Sequence, residues 1–125
     1  MTEPAFDPDT LARLRDEPEL RIETRSAAGD VHRTIIWIVV DAADRVLVRS
    51  YRGAGARWYR EGITGGTAAL VIGATTIPVR LERATDPGRV AACSAELERK
   101  YADDPATPAM VADDVLETTL QLHPV

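Results

Sequence analysis

Hydrophobic and polar residues alternate in three short stretches of this chain, which is the pattern of half-buried β-strands. In the first stretch, Leu20, Ile22 and Thr24 alternate with charged residues. The same two-residue period recurs twice further along the chain. We therefore predict strands over residues 20–25, 77–82 and 116–122.

The stretch from Thr34 to Val40 differs, because it is rich in β-branched residues and almost wholly apolar. Such a strand is usually covered on both faces, so we predict a central strand here. Runs over residues 46–51 and 68–72 predict two more strands. A mainly β fold, a closed or nearly closed barrel of about six antiparallel strands with peripheral helices, is the simplest architecture that removes the strand edges.

An aspartate followed by proline marks two predicted helix starts, at Asp7–Pro8 and Asp86–Pro87. The aspartate can cap the helix, and proline fits its first position. A third, short helix is predicted over residues 57–61 and ended by Gly62. One face of the helix that follows Asp86 carries Val90, Cys93, Leu97 and Tyr101.

Length and composition favour one domain over residues 1–125, because 45% hydrophobic residues allow a sizeable core. A single cysteine, Cys93, excludes an intrachain disulfide and fits a reducing compartment. The N-terminus does not resemble a signal peptide, and no apolar run is long enough to span a bilayer. We therefore expect a cytoplasmic protein without membrane contact. The net charge of -5, without a basic stripe, argues against a nucleic-acid partner.

The segment from Arg45 to Arg60 concentrates positive charge, with five arginines and no acid between Asp44 and Glu61. A positive patch on an acidic protein indicates a local anion site. Arginines and a serine at a strand-to-helix turn suit a phosphate, because backbone N–H groups and the helix dipole favour the same charge. The alternative is a surface turn whose arginines pair with nearby carboxylates, and the residues alone leave both interpretations open.

Catalytic and metal-ligating residues are not predicted. His32 and His123 have no partner at metal-ligand spacing, and Cys93 lies on an apolar helix face where thiols are inert. His32 is expected to face solvent on the first hairpin. Trp37 is expected in the core, whereas Trp58 either packs under the barrel or flanks a planar ligand.

The segment Val48–Ala54, followed by Trp58–Tyr59, resembles a segment of the deazaflavin-dependent nitroreductase family, whose members are split β-barrels. Nearly the whole chain is similar to a second group, the domain-of-unknown-function family 2255. That resemblance includes the strand Ile36–Val40, the helix end Lys100–Tyr101 and the closing run Thr118–Leu120.

The resemblance implies an FMN-binding-like split barrel, usually a homodimer, that holds FMN or deazaflavin in a groove near the subunit interface. Carried over by position, Arg49, Ser50 and Arg57 would lie near the cofactor phosphate, and Trp58 beside the loop that shapes the groove. The predicted cofactor-binding residues are Arg49, Ser50, Tyr51, Arg52, Gly53, Arg57 and Trp58.

Two functional hypotheses follow. In the first, the protein is an oxidoreductase whose flavin-type cofactor carries the electrons, so that no catalytic side chain is required. In the second, it is a non-enzymatic small-ligand-binding or interaction domain that has lost the cofactor. The second is motivated by Arg60–Glu61, which stands where the nitroreductase-like families usually have asparagine–leucine.

Overall fold

The structure, a computed structural model, describes residues 5–125. Within this range seven strands form a single antiparallel sheet, and four α-helices and two 3₁₀-helices lie around it. The strands are β1 (Leu20–Arg25), β2 (Val31–Ile36), β3 (Ile38–Val40), β4 (Val46–Val48), β5 (Thr67–Ile72), β6 (Thr75–Arg83) and β7 (Leu120–Pro124). The helices are α1 (Pro8–Asp16), α2 (Arg57–Gly65), α3 (Pro87–Lys100) and α4 (Thr107–Met110), with 3₁₀ turns at Gly53–Gly55 and Asp113–Thr118.

The sheet closes into a barrel through one bent strand. Its strand order is β2-β1-β5-β6-β7-β4-β3, so β2 and β3 lie at opposite ends of the order. Only Trp37 separates these two strands in the sequence. They are therefore two halves of one strand, the first paired with β1 and the second with β4. With that strand counted once, the predicted barrel of six antiparallel strands is confirmed.

The prediction that Thr34–Val40 is covered on both faces is wrong for its first half. Ile35 is 56% exposed, whereas β3 is buried throughout. The difference arises because β3 is sandwiched between the barrel interior and the helices, whereas the outer face of β2 lacks such a cover. Val39 of β3 packs with Cys93 and Leu97 of α3 in a second apolar cluster outside the barrel.

Other predicted boundaries also change. The strand predicted over residues 46–51 ends at Val48. The final strand begins at Leu120, because the preceding residues form a 3₁₀-helix in which the Thr118 hydroxyl donates to the Val115 carbonyl (2.7 Å). Helix α2 does not end at Gly62 but continues to Gly65. A Cβ at Gly62 would lie 2.9 Å from the Leu81 side chain, so this glycine permits a close approach of α2 to β6.

Both predicted helix starts are confirmed. The Asp7 carboxylate accepts a hydrogen bond from the Thr10 N–H (2.8 Å), and Asp86 accepts one from the Arg89 N–H (3.1 Å). The predicted inner face of α3 is also correct, since Cys93 is fully buried in the second apolar cluster. Among residues 5–125, no helix combines the length and the apolar character needed to cross a membrane.

The free edge of β3 is covered by side chains from α3. The Ile38 N–H donates to the Tyr101 hydroxyl (3.3 Å), and the Ile38 carbonyl accepts from Lys100 Nζ (2.6 Å). Lys100 also donates to the Leu14 carbonyl of α1 (3.0 Å), so three elements meet here. The Tyr101 ring stacks on Trp37 with centroids 4.0 Å apart. We call this side of the bent strand the sealed edge.

Candidate functional site

The other half of the bent strand borders a groove. Strand β2 pairs only with β1, so its second edge has no strand partner, and residues 49–58 lie opposite that edge. The space between them is a groove of about 840 Å³, which we call the seam groove. It is lined by Arg21, Arg33, Thr34, Ile35, Ile36, Trp37, Arg49, Tyr51, Arg52, Ala56, Arg57, Trp58, Ala106 and Met110.

Positive charge dominates the seam groove. Five arginines line it, and no aspartate or glutamate does. Within residues 5–125, the side chains of Arg21 and Arg52 have no hydrogen bond or ion pair. Arg33 pairs with Glu23, and Arg57 interacts with the charge of Glu61, but both carboxylates lie outside the groove. In a protein of net charge -5, this local concentration of cations attracts an anion.

The N-terminus of α2 adds to this potential. Its N-cap residue, Ala56, has no side chain that can accept a hydrogen bond from the first turn. Ala56, Arg57 and Trp58 all line the groove. The free N–H groups and the positive end of the helix dipole therefore lie beside the arginines. A phosphate or carboxylate would be stabilised there by both contributions.

Arg49 is engaged within the protein. Its side chain is buried, and four of its N–H groups donate to Thr119 Oγ1 (2.9 Å), Ser94 Oγ (2.8 Å), the Met110 carbonyl (3.1 Å) and the Val90 carbonyl (3.1 Å). No carboxylate within the described part of the chain pairs with it, and burial lowers the pKa of its guanidinium. Arg49 thus ties the end of β4 to α3, α4 and the start of β7, and contributes a buried positive charge behind the groove.

Ser50 and Gly53 shape the loop rather than line the groove. The Ser50 hydroxyl donates to the Gly53 carbonyl (2.7 Å), and the Ser50 N–H donates to Thr118 Oγ1 (3.0 Å). Gly53 has a φ of 76°, which favours glycine. Together they fix the turn that carries Tyr51 and Arg52 into the groove.

Aromatic and apolar side chains form the rest of the surface. Tyr51 and Ile35 are each 56% exposed, and both line the groove. Trp58 is only 5% exposed and packs in the barrel core, as one of the two alternatives predicted, and it also lines the groove. Trp37 is half-buried and packs against the second cluster while lining the groove. A flat, partly apolar ligand fits this surface.

The expectation that His32 faces solvent is wrong. Its Nδ1 lies 3.0 Å from the Glu61 carboxylate, which also accepts a hydrogen bond from the Thr24 hydroxyl (2.8 Å). Burial opposes ionisation of Glu61, but the hydrogen bonds from His32 and Thr24 and the charges of His32 and Arg57 outweigh it and lower its pKa. This contact joins β2 to α2, the two walls of the seam groove.

Reactive groups outside the groove are buried. Burial raises the pKa of the Cys93 thiol to about 11, so the thiolate that would act as a nucleophile is not formed at neutral pH. Burial lowers the pKa of the Lys100 amine to about 8, but its Nζ is held by two carbonyl groups at the sealed edge. No group of three metal-ligating side chains occurs among residues 5–125.

Most of the predicted cofactor-binding residues meet in the groove. Arg49, Tyr51, Arg52, Arg57 and Trp58 line it, and Ser50 and Gly53 support it from behind. Arg21, Arg33 and residues 34–37 were not among the predicted cofactor-binding residues, because Arg21 was interpreted only as part of an alternating strand and residues 34–37 as part of a buried one. Only the pairing of β1 with β2 brings them to the same site.

The chain belongs to a family of proteins described as "Uncharacterized protein conserved in bacteria (DUF2255)", whose model matches residues 10–122. The predicted resemblance to that family is therefore confirmed. No curated protein matches the sequence.

Several solved structures share the fold. HutZ, the heme storage protein from Vibrio cholerae, has a TM-score of 0.67 at 12% identity, over 97% of this chain and 91% of that one. The conserved hypothetical protein Rv2991 from Mycobacterium tuberculosis has a TM-score of 0.66 at 13% identity, over 100% and 83%. An F420 reductase has a TM-score of 0.58 at 17% identity, over 95% and 96%. At these identities the likeness shows the split-barrel fold alone.

Proposed function

We propose that this DUF2255 protein binds a flavin-type cofactor, FMN or deazaflavin, in the seam groove and acts as an oxidoreductase. The observation that carries the proposal is a groove lined by five arginines and no acid, with exposed aromatic surface beside them. Its volume of about 840 Å³ suits a cofactor-sized ligand, since such sites span about 300–1,000 Å³.

The residues present fit such a group. Arg52, Arg57 and the N-terminus of α2 would hold the phosphate, and the buried charge of Arg49 would support them electrostatically. The ring would lie against Tyr51 and Trp37. The unpaired edge of β2 offers alternating backbone N–H and C=O groups, which match the donors and acceptors along the polar edge of a flavin-type ring. When bound, the ring supplies the two-electron chemistry, and the protein supplies binding and orientation.

The groove lining favours a flavin-type ring over haem. One of the proteins of similar fold is named as an F420 reductase and another as a heme storage protein. Haem iron is most often held by histidine or cysteine, and neither type lines the seam groove, where Tyr51 and Met110 are the residues of ligand type. Arg60 and Glu61, whose identity motivated the cofactor-free alternative, lie outside the groove, where Arg60 donates to the Gly55 carbonyl (3.1 Å).

The proposal includes a homodimer. Ile35 and Tyr51 are large, exposed and apolar, and they lie at the same groove. A second copy that covers this face would remove apolar surface from water and shield the bound ring from solvent. Sedimentation equilibrium tests it: a monomer at 100 μM would contradict the dimer while leaving the cofactor site open to the titrations below.

The first test is to purify the protein from a host that makes both cofactors, record its visible spectrum, and titrate FMN and deazaflavin into the apo form. The double variant Arg52→Gln/Arg57→Gln should bind the preferred cofactor about tenfold to a hundredfold more weakly, because charge-assisted contacts to the phosphate are lost. Arg60→Gln is the matched control, since Arg60 lies on the same helix but outside the groove. The cofactor affinity of Arg60→Gln should stay within about twofold of the wild-type affinity. That change is smaller than the one expected when an ionic contact to the cofactor is lost.

A colourless protein that binds neither cofactor would contradict the proposal. The arginine groove would then serve another small anionic ligand or a partner, which is the non-enzymatic alternative. Equal affinity of the double variant and the Arg60→Gln control would show that the cofactor binds elsewhere.

A further inference from the structure

The seam groove has a second basic end, on the hairpin of β1 and β2. Arg21 lies opposite Ile35 in the register of the two strands, and Arg33 lies two residues from Ile35 on the same outer face. Directly opposed side chains start about 5 Å apart, and diagonal ones about 7–8 Å apart. The exposed Ile35 side chain therefore has a guanidinium on two sides.

These two arginines retain donors for a ligand. Arg33 Nε donates to Glu23 (3.0 Å), but its Nη groups make no hydrogen bond within residues 5–125. The Arg21 side chain has neither a hydrogen bond nor an ion pair in that range. Glu23, two residues from Arg21 on the same outer face, pairs with Arg33 and does not line the seam groove.

Strand β2 separates the two basic ends. Arg52 and Arg57 approach β2 from its unpaired edge, whereas Arg21 stands on β1, on the other side of β2. Neighbouring strands are about 4.8 Å apart, so a phosphate held by Arg52 and Arg57 lies beyond the strand from Arg21. One anion at the loop end thus lies on the other side of β2 from Arg21, whose side chain has no ion pair within residues 5–125.

We propose that Arg21, assisted by Arg33, binds a carboxylate on the second ligand of the groove, and that the substrate is a small carboxylate with an apolar body. The apolar body would lie against Ile35, between the two basic ends and beside the surface of Tyr51 and Trp37 that is assigned to the cofactor ring. This inference rests on the proposed function, because it assigns the loop end to the cofactor phosphate and the hairpin end to the substrate.

Benzoate, with neutral benzamide as its uncharged counterpart, is the probe. Calorimetric titration into the cofactor-free protein should give tighter binding of benzoate than of benzamide. Arg21→Gln should weaken benzoate binding about tenfold, as expected for a lost charge-assisted contact. Arg25→Gln is the matched control on the same strand and the same outer face, outside the seam groove, and it should leave benzoate affinity unchanged.

A second series uses FMN, deazaflavin and inorganic phosphate. Arg21→Gln should leave their binding unchanged, whereas Arg52→Gln should weaken it and leave benzoate binding unchanged. Benzoate should bind equally well to the protein loaded with cofactor or phosphate. Competition between benzoate and the loop-end ligand would overturn the inference, because Arg21 would then hold a second anionic group of the same ligand.

Equal benzoate affinity in the Arg21→Gln and Arg25→Gln variants, or no preference for benzoate over benzamide, would also overturn the inference. The benzoate titrations do not require a cofactor. A protein that binds benzoate through Arg21 but neither FMN nor deazaflavin would therefore contradict the proposed function alone.

Discussion

The two halves of the bent strand differ in whether their unpaired edge is covered by side chains. Both β2 and β3 have one edge without a strand partner. At β3 that edge is sealed by Lys100 and Tyr101, which hydrogen-bond to the Ile38 backbone. At β2 the edge borders the seam groove, with arginines and exposed apolar side chains beside it.

This difference between the two edges indicates that the edge of β3 contributes to stability and the edge of β2 to binding. An unpaired strand edge costs free energy when it is buried without partners and invites pairing when it is exposed. At the sealed edge, Lys100 and Tyr101 hydrogen-bond to the strand backbone, so the covered edge contributes to stability. The open edge keeps its backbone groups available, which is what a ligand with alternating donors and acceptors requires.

The largest contrast is expected between Tyr101→Ala and Tyr51→Ala. Tyr101→Ala removes the stack on Trp37 and the hydroxyl that donates to the Pro18 carbonyl (2.6 Å). We expect it to lower the free energy of unfolding by about 3–5 kcal/mol, as for other buried aromatic truncations. Tyr51→Ala, at the open edge and 56% exposed, should cost less than about 0.5 kcal/mol. Urea unfolding measures both, and similar losses would contradict the distinction.

Arg49 and Arg52 give the second contrast, within one loop. Arg49→Leu removes four buried or part-buried hydrogen bonds, to Thr119, Ser94, Met110 and Val90, so we expect a loss of about 2–4 kcal/mol in the free energy of unfolding. Arg52→Leu breaks no contact within residues 5–125 and should change it by less than about 0.5 kcal/mol. Denaturant midpoints decide this, and a stable Arg49→Leu variant would show that Arg49 is not structural.

A pH dependence should report on the sealed edge. The pKa of Lys100 is lowered by burial from 10.5 to about 8, so the unfolded chain binds more protons than the folded protein between these values. The free energy of unfolding should therefore rise with pH, by about 1 kcal/mol from pH 7 to pH 9. Above pH 9 the Cys93 thiol opposes this rise, because burial raises its pKa from 9.0 to about 11. Lys100→Met should abolish the rise, and an unchanged slope in that variant would assign it to another group.

Above pH 10 the trend should reverse. Burial raises the pKa of the Tyr101 phenol to about 12, so the unfolded chain loses this proton first and stability falls as the pH rises further. The window between pH 7 and pH 9 is therefore the one in which the effect of Lys100 precedes those of Cys93 and Tyr101.

The smallest effect on stability is expected at the contact between His32 and Glu61, which joins the two walls of the seam groove. The pKa of Glu61 is lowered, because hydrogen bonds from His32 and Thr24 outweigh the opposing effect of burial. Its stabilisation is present above pH 4.5, the ordinary value of the group, and is lost as the pH falls through the lower folded-state value. The melting temperature of the wild-type protein and of Glu61→Gln should therefore converge in acid; parallel curves would show that Glu61 contributes nothing.

Local features of this fold could be predicted from the sequence. Asp7 and Asp86 act on N–H groups three residues away, so their capping role is visible in the sequence itself. The apolar face of α3 follows from helical periodicity, and the number of strands from alternation. The loop-end arginines of the groove were also predicted, because they are close together along the chain.

Features that depend on distant contacts could not be predicted in this way. Gly62 was predicted to end a helix, yet in the structure it permits the close approach of that helix to Leu81 in another element. Arg49 was predicted to bind phosphate, but its guanidinium donates hydrogen bonds to acceptors in three other segments of the chain. A residue type shows which contacts a side chain can make, whereas packing decides which partners are within reach.

The seam groove combines local features, which could be predicted from the sequence, with features that depend on distant contacts. A barrel of antiparallel strands and a basic loop could be predicted from the sequence, because periodicity and charge are local properties. The bend at Trp37, the open edge of β2 and the position of Arg21 in the same groove as Arg52 depend on how distant segments pack. Strand register is set by pairing between distant segments, and pairing determines which side chains share a surface.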